Sequence, residues 1–166
     1  MNDLRIVDAD LQRLDHANAV FALLDGYARD PMGDGKPLAA DVKEALIPAL
    51  RRHPTTVVLL AYADDSPGES HPVGIAICFL GFSTFKARPL LNIHDFAVAP
   101  GQRGRGIGRE LMAAVERKAR ALGCCKLTLE VFEHNERAFR LYRAAGFAPV
   151  VYQEAAGSAQ FLAKVL

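Results

Sequence analysis

The sequence predicts an α/β (α+β) domain with a mixed, mostly antiparallel central sheet of about seven strands and helices on both faces. Three observations predict it. Short β-branched apolar runs interleave with segments of helical periodicity in the order β α α β β β α β α β β, which suits a layered fold. The chain has 166 residues, 51% hydrophobic and 23% charged, enough for one domain with a core. No repeat, low-complexity stretch or linker divides it, so residues 1–166 read as a single domain.

Taken in order, Leu4–Val7 is a strand, and Asp8 or Asp10 can cap a helix with Leu14, Ala17, Phe21, Leu24 and Ala28 on one face. Two prolines, two glycines and two aspartates within Arg29–Pro37 make a loop. A second helix runs from Leu38 to Arg52, with Leu38, Val42, Leu46 and Leu50 inward and Pro48 kinking or dividing it. Thr55–Ala63 and Val73–Phe82 read as strands joined by a nine-residue polar loop, and Leu90–Val98 as the next strand. Ile107, Leu111, Ala114, Val115, Ala119 and Leu122 recur at helical spacing before Gly123 as a stop. Lys126–Phe132 is a strand; a helix from Asn135 follows, with Ala138, Leu141, Tyr142 and Ala145 on one face and Gly146 ending it. Phe147–Gln153 and Ser158–Val165 supply the last two strands.

Between the third β-meander strand and the third helix lies Arg103-Gly104-Arg105-Gly106-Ile107-Gly108-Arg109. Alternate glycines let several N–H groups converge on one anion at the positive end of a helix dipole. Arg103, Arg105 and Arg109 add cations suited to phosphate oxygens. No Lys-Ser or Lys-Thr follows the glycines, which argues against a nucleoside-triphosphate loop. The glycine spacing also departs from the dinucleotide fingerprint.

The segment resembles the Arg/Gln-x-x-Gly-x-Gly/Ala signature of the GNAT superfamily of acyl-CoA-dependent N-acyltransferases, through Arg103, Gly106 and Gly108. Asn135-x-x-Ala138-x-x-x-Tyr142-x-x-x-Gly146-Phe147 is similar to a second signature of that family, and the element order is similar to its fold. Within it, Gly81-Phe82-Ser83-Thr84-Phe85 and the strand Leu91–Val98 resemble the diamine and polyamine acetyltransferases, with His94 standing where those enzymes carry glutamate and Asp95 kept. The resemblance implies acetyl-CoA as acyl donor, its diphosphate on residues 103–109, and strand backbone from Phe96, Ala97 and Val98 to the pantetheine arm. Asn135 is an N-cap by its residue type, and the resemblance adds a contact to the cofactor chain. A homodimer is a further expectation from the family, with Ser158–Val165 as a pairing edge.

Acyl transfer to an amine requires removal of a proton from the ammonium, stabilisation of an oxyanion and protonation of the departing thiolate. His94 is the candidate base, imidazole being suited to proton exchange near neutrality, with a hydrogen-bonded sheet histidine as the alternative. Tyr142 implies the proton donor by resemblance, and filling of an apolar helix face is its structural alternative. The resemblance implies Tyr27, Ser83 and His94 on the acceptor side, with Asp30 and Asp34 able to face a cationic amine, and ordinary loop composition as the alternative for these two.

Composition excludes less specific classes. A net charge of +1 argues against a general nucleic-acid binder. Apolar runs are strand-sized, so no membrane partner is expected, and with no secretion signature the expected location is cytoplasmic. Cys78, Cys124 and Cys125 lack zinc spacing, and no metal is expected. The predicted function is acetyl transfer from acetyl-CoA to a small-molecule primary amine in a ternary complex. The alternatives are a non-catalytic acyl-CoA-binding or regulatory module, or an acetyltransferase of protein N-termini or aminoglycosides.

Overall fold

A computed structural model describes residues 4–66, 69–150 and 162–165. Its elements are β1 (Leu4–Asp8), α1 (Leu14–Ala28), α2 (Ala40–Arg52), β2 (Thr56–Ser66), β3 (Glu69–Ser83), β4 (Arg88–Val98), α3 (Ile107–Ala121), β5 (Leu127–Leu129) and α4 (Glu136–Ala144). The sheet order is β1-β2-β3-β4-β5. The first four strands pair antiparallel, and β5 joins β4 in parallel across the α3 crossover.

Alternation along β2 explains its unbroken apolar run: Leu59, Ala61 and Ala63 face one core, while Val58, Leu60 and Tyr62 face another. The first core is closed by Ile107, Leu111 and Val115 of α3 with Tyr142 of α4. The second is closed by Val20, Leu23 and Leu24 of α1 with Leu50 of α2. Helices thus cover both faces of the sheet.

Several elements differ from the sequence expectation. Five strands are present among the described residues rather than about seven. Phe147–Val150 forms no strand, 151–161 lies outside the described residues, and 162–165 is not in a strand. The polar 64–72 segment does not form a nine-residue loop: β2 and β3 extend through it to pair Ser66 with Glu69. Pro48 neither divides nor ends α2, which runs on to Arg52, and Val42 turns outward. In α1 the buried stripe is His16, Ala19, Val20, Leu23 and Leu24, and Leu14 is exposed. Asp10 is not its cap; its carboxylate accepts from the Gln12 N–H at 2.9 Å and turns the chain before the helix.

The decisive irregularity lies in β4. Ile77 pairs with Asp95 and Cys78 with Ile93, leaving His94 as the extra residue of a β-bulge. Strict alternation would separate Leu91 and Ile93 from Phe96 and Val98, yet all four pack in the α3 core. The bulge restores them to one face and leaves the ring of His94 against Phe79 on the other, at 5.4 Å between centroids.

Candidate active site

From the bulge onward β4 loses its neighbour. Pairing with β5 covers only Leu91, Asn92 and Ile93, and the segment predicted to continue as strand to Phe132 leaves the sheet after Leu129. The two chains splay, and a cleft of about 1370 Å³ opens between them. Its walls include His94, Phe96, Ala97 and Val98 from β4, Glu130–Phe132 opposite, Tyr142 on α4 and Tyr27 in the last turn of α1.

At one end stands the glycine turn. Gly104 and Gly106 have φ of +80° and +83°, the left-handed region that glycine enters without steric cost. Among the described residues no backbone carbonyl accepts from the N–H groups of Gly104, Arg105 or Gly106. Ile107 and Gly108 are the first two helical positions, whose N–H groups have no partner within a helix. The turn therefore presents a run of free donors on the helix's positive end. Gly108 is required for space instead: a Cβ there would lie 3.3 Å from Leu141 Cδ2 and 3.7 Å from Val98 Cγ2.

The three arginines differ. Arg109 is exposed and lines the cleft. Arg105 is exposed and donates to the Gln102 side-chain oxygen. Arg103 turns inward, its Nε donating to the Val98 carbonyl at 2.9 Å and its guanidinium pairing with Asp30 at 2.7 Å.

Tyr142 is buried between Phe96 and Phe147, at ring separations of 6.2 and 5.9 Å. Burial, aided by nearby Tyr27, pushes its phenol up to about 12. The group is thus a neutral O–H across the physiological range, and among the described residues its hydroxyl has no hydrogen-bond partner. The α4 helix is aimed by Asn135, whose Oδ1 accepts from the Ala138 N–H at 3.2 Å as its N-cap. Asn135 also lines the cleft.

Sequence reasoning gave Asp95 no role. Its carboxylate, on the bulge beside His94, has no hydrogen-bond or ion-pair partner among the described residues. Burial pushes its pKa up, partly opposed by His94, and its charge also raises the phenol of Tyr27. The signal that could have found it was a carboxylate beside His94 in a mostly apolar strand. Ser83, in contrast, pairs with Arg88 at the far end of the β3–β4 hairpin and does not line the cleft. The six-residue step from Arg88 to His94 is roughly 20 Å of strand, so this hydroxyl lies away from the bulge. Asp34 is exposed beside Lys36. Among the described residues no group of three or more His, Cys, Asp or Glu could hold a metal ion, and no helix is long and apolar enough to cross a membrane.

Residues 19–147, which hold the splayed parallel pair and the anion loop, match the model of the Acetyltransferase (GNAT) family. The chain belongs to the GNAT acetyltransferase family. A thialysine N-epsilon-acetyltransferase of Bos taurus is 36% identical over 91 residues, covering 53% of each chain. The chain thus spans about half the length of the curated relatives of this kind that it matches. Among solved GNAT-like folds, a probable acetyltransferase superposes with a TM-score of 0.76 at 20% identity, covering 97% of this chain and 99% of that one. An aminoglycoside N-acetyltransferase solved with CoA gives a TM-score of 0.70 at 17% identity, covering 100% and 96%. At these identities the likeness establishes the fold.

Proposed function

We propose that this GNAT domain, residues 1–166, is an acetyl-CoA-dependent N-acetyltransferase that moves an acetyl group to a small-molecule primary amine by direct attack in a ternary complex. The observation that carries the reading is one cleft with free loop N–H groups at its end and an unbonded, protonated Tyr142 hydroxyl on its wall. The CoA diphosphate is assigned to the N–H groups of 104–108, with Arg105 and Arg109 at its edge. Past the bulge, the edge of β4 that β5 leaves uncovered suits an extended amide-bearing arm, pairing with it as a strand would. Asn135 borders that arm.

Chemistry is assigned to this chain's side chains in three roles. His94 accepts the ammonium proton, directly or through water, its ring turned by the bulge onto Phe79 at the cleft wall. Asp95 is assigned to hold the ammonium: it is a partly buried carboxylate next to His94 with no hydrogen-bond or ion-pair partner among the described residues, whereas Asp30 is already paired with Arg103. Tyr142 gives its proton to the departing thiolate, which its neutral state at working pH permits. Tyr27 forms the acceptor wall. A small-molecule amine as acceptor is in keeping with a thialysine N-epsilon-acetyltransferase among the chain's relatives and an aminoglycoside N-acetyltransferase among the solved structures of like fold. The family resemblance supports a homodimer, which light scattering tests directly.

The experiment is thiol release from acetyl-CoA over polyamines, amino acids, aminoglycosides and peptides, with Tyr142→Phe alongside. Loss of a proton donor lowers kcat by about 10²-fold or more while CoA affinity holds. Tight CoA binding with no thiol release from any amine would instead establish a non-catalytic acyl-CoA-binding module.

A further inference from the structure

The segment between α1 and α2 is wound on its own helix. Asp30 N–H donates to Tyr27 O at 3.0 Å, Gly33 N–H to Asp30 O at 2.8 Å, and the Asp34 and Lys36 N–H groups to Ala28 O at 3.0 and 3.2 Å. The winding is tight enough that a Cβ at Gly33 would stand 2.3 Å from Tyr27 O. Asp30 Oδ1 accepts from the Met32 N–H at 2.9 Å, so one carboxylate oxygen organises the turn. The other reaches 73 residues along the chain to Arg103.

That long contact differs from the surface ion pairs of the molecule. Its side chains are only 24% and 10% exposed, against 59% and 61% for Arg13–Asp15. The same guanidinium also holds the Val98 carbonyl, where β4 ends. A planar fork gripping two fixed acceptors has little freedom left to swing toward a phosphate. Arg103 nevertheless adjoins Gly104, the first of the left-handed glycines whose N–H groups are free. Whatever stiffens that turn acts on the backbone carrying the guanidinium.

Resting on the assignment of the cleft to CoA and an amine, we propose that Arg103 is a positioning residue rather than a phosphate ligand. It ties segment 29–37, the acceptor wall behind Tyr27, to the anion loop. Seating a diphosphate on the loop orders the wall through this tie. By linkage, an acceptor that orders the wall tightens CoA by the same factor.

Hydrogen–deuterium exchange and calorimetry with CoA alone, on the full chain, test the tie without knowledge of the acceptor. CoA is expected to slow exchange at 104–108 and also, by at least about fivefold, at 29–37. Arg103→Gln and Asp30→Asn should each abolish the slowing at 29–37 and keep CoA affinity within about threefold, and the double variant should add nothing to either. Arg103→Lys keeps the charge but not the fork and should retain part of the effect. Thermal unfolding of each variant separates lost coupling from lost fold. A tenfold or larger loss of CoA affinity in Arg103→Gln but not in Asp30→Asn would make Arg103 a phosphate ligand and overturn the proposal. Protection at 104–108 with none at 29–37 in the unmodified chain would overturn it too, while leaving the functional reading intact. Failure of CoA to bind at all removes both.

Discussion

Tyr142 and Asp95 are both acids held in their neutral direction by burial, but for different uses. Tyr142, pushed up to about 12, remains a proton donor through the whole assay range, so it contributes no descending limb to the pH–rate profile below about pH 10. Asp95 is a carboxyl whose burial favours its neutral form until a cation arrives to pair with it. Asp95→Asn is therefore expected to raise the acceptor KM by at least about tenfold with CoA affinity unchanged. His94→Gln should lower kcat by about 10²-fold with the acceptor KM little changed. Steady-state kinetics from pH 5.5 to 9 separate the two; reversed effects would exchange their roles. At this scale the sequence was uneven in what it disclosed. The inward face of α4 was legible, since helical spacing sets Tyr142 with Ala138 and Leu141, and the cap at Asn135 is as expected from its residue type. For Arg103, residue type alone does not say that the guanidinium is held by an aspartate 73 positions away.

Among elements, the glycine turn and the bulge do the positioning. Gly106 sits at φ +83° with open space around a would-be Cβ, so its requirement is conformational rather than spatial. Gly106→Ala should cost about 1–2 kcal/mol of strain, relieved by turning the loop N–H groups away from the anion. Calorimetry is expected to show CoA affinity falling about tenfold or more with little change in Tm; an unchanged affinity would detach this turn from the diphosphate. The turn was readable because its glycines are local. The bulge was not, because an extra residue in β4 is visible only against the partner strand: Ile93 and Phe96 belong to one core despite odd spacing. For the same reason β5 read as seven residues long. Its apolar alternation, Leu127, Leu129 and Val131, continues past the last paired residue, and the ladder ends at Leu129 where β4 departs at His94.

Across the whole molecule, two cores share one sheet, and burial there sets its response to alkali. Cys78, fully buried in β3, is pushed up to about 12 from an ordinary value of 9.0 by desolvation, with Asp95 adding to it. On unfolding the thiol would ionise near its ordinary value, so above it the unfolded chain binds fewer protons than the folded one. The free energy of unfolding then falls as pH rises, by up to about 1.4 kcal/mol per pH unit for each such group. Urea titrations between pH 8 and 11 should show this decline, with a shallower slope in Cys78→Val; equal slopes would discount the thiol. The layered architecture itself was legible, since alternation and helical periodicity are global patterns that survive local irregularity. The opening of the cleft has a mechanical consequence. β3 grips β4 through ten register pairs, but β5 is stitched on by three. This seam is the fracture line of the sheet: β5 and α4 should detach in partial opening events well before β2 and β3 let go, as native-state exchange under mild denaturant would record. Amides of Leu127–Leu129 that exchanged only with the whole sheet would contradict it. The gap that admits a ligand is thus also where the molecule first comes apart.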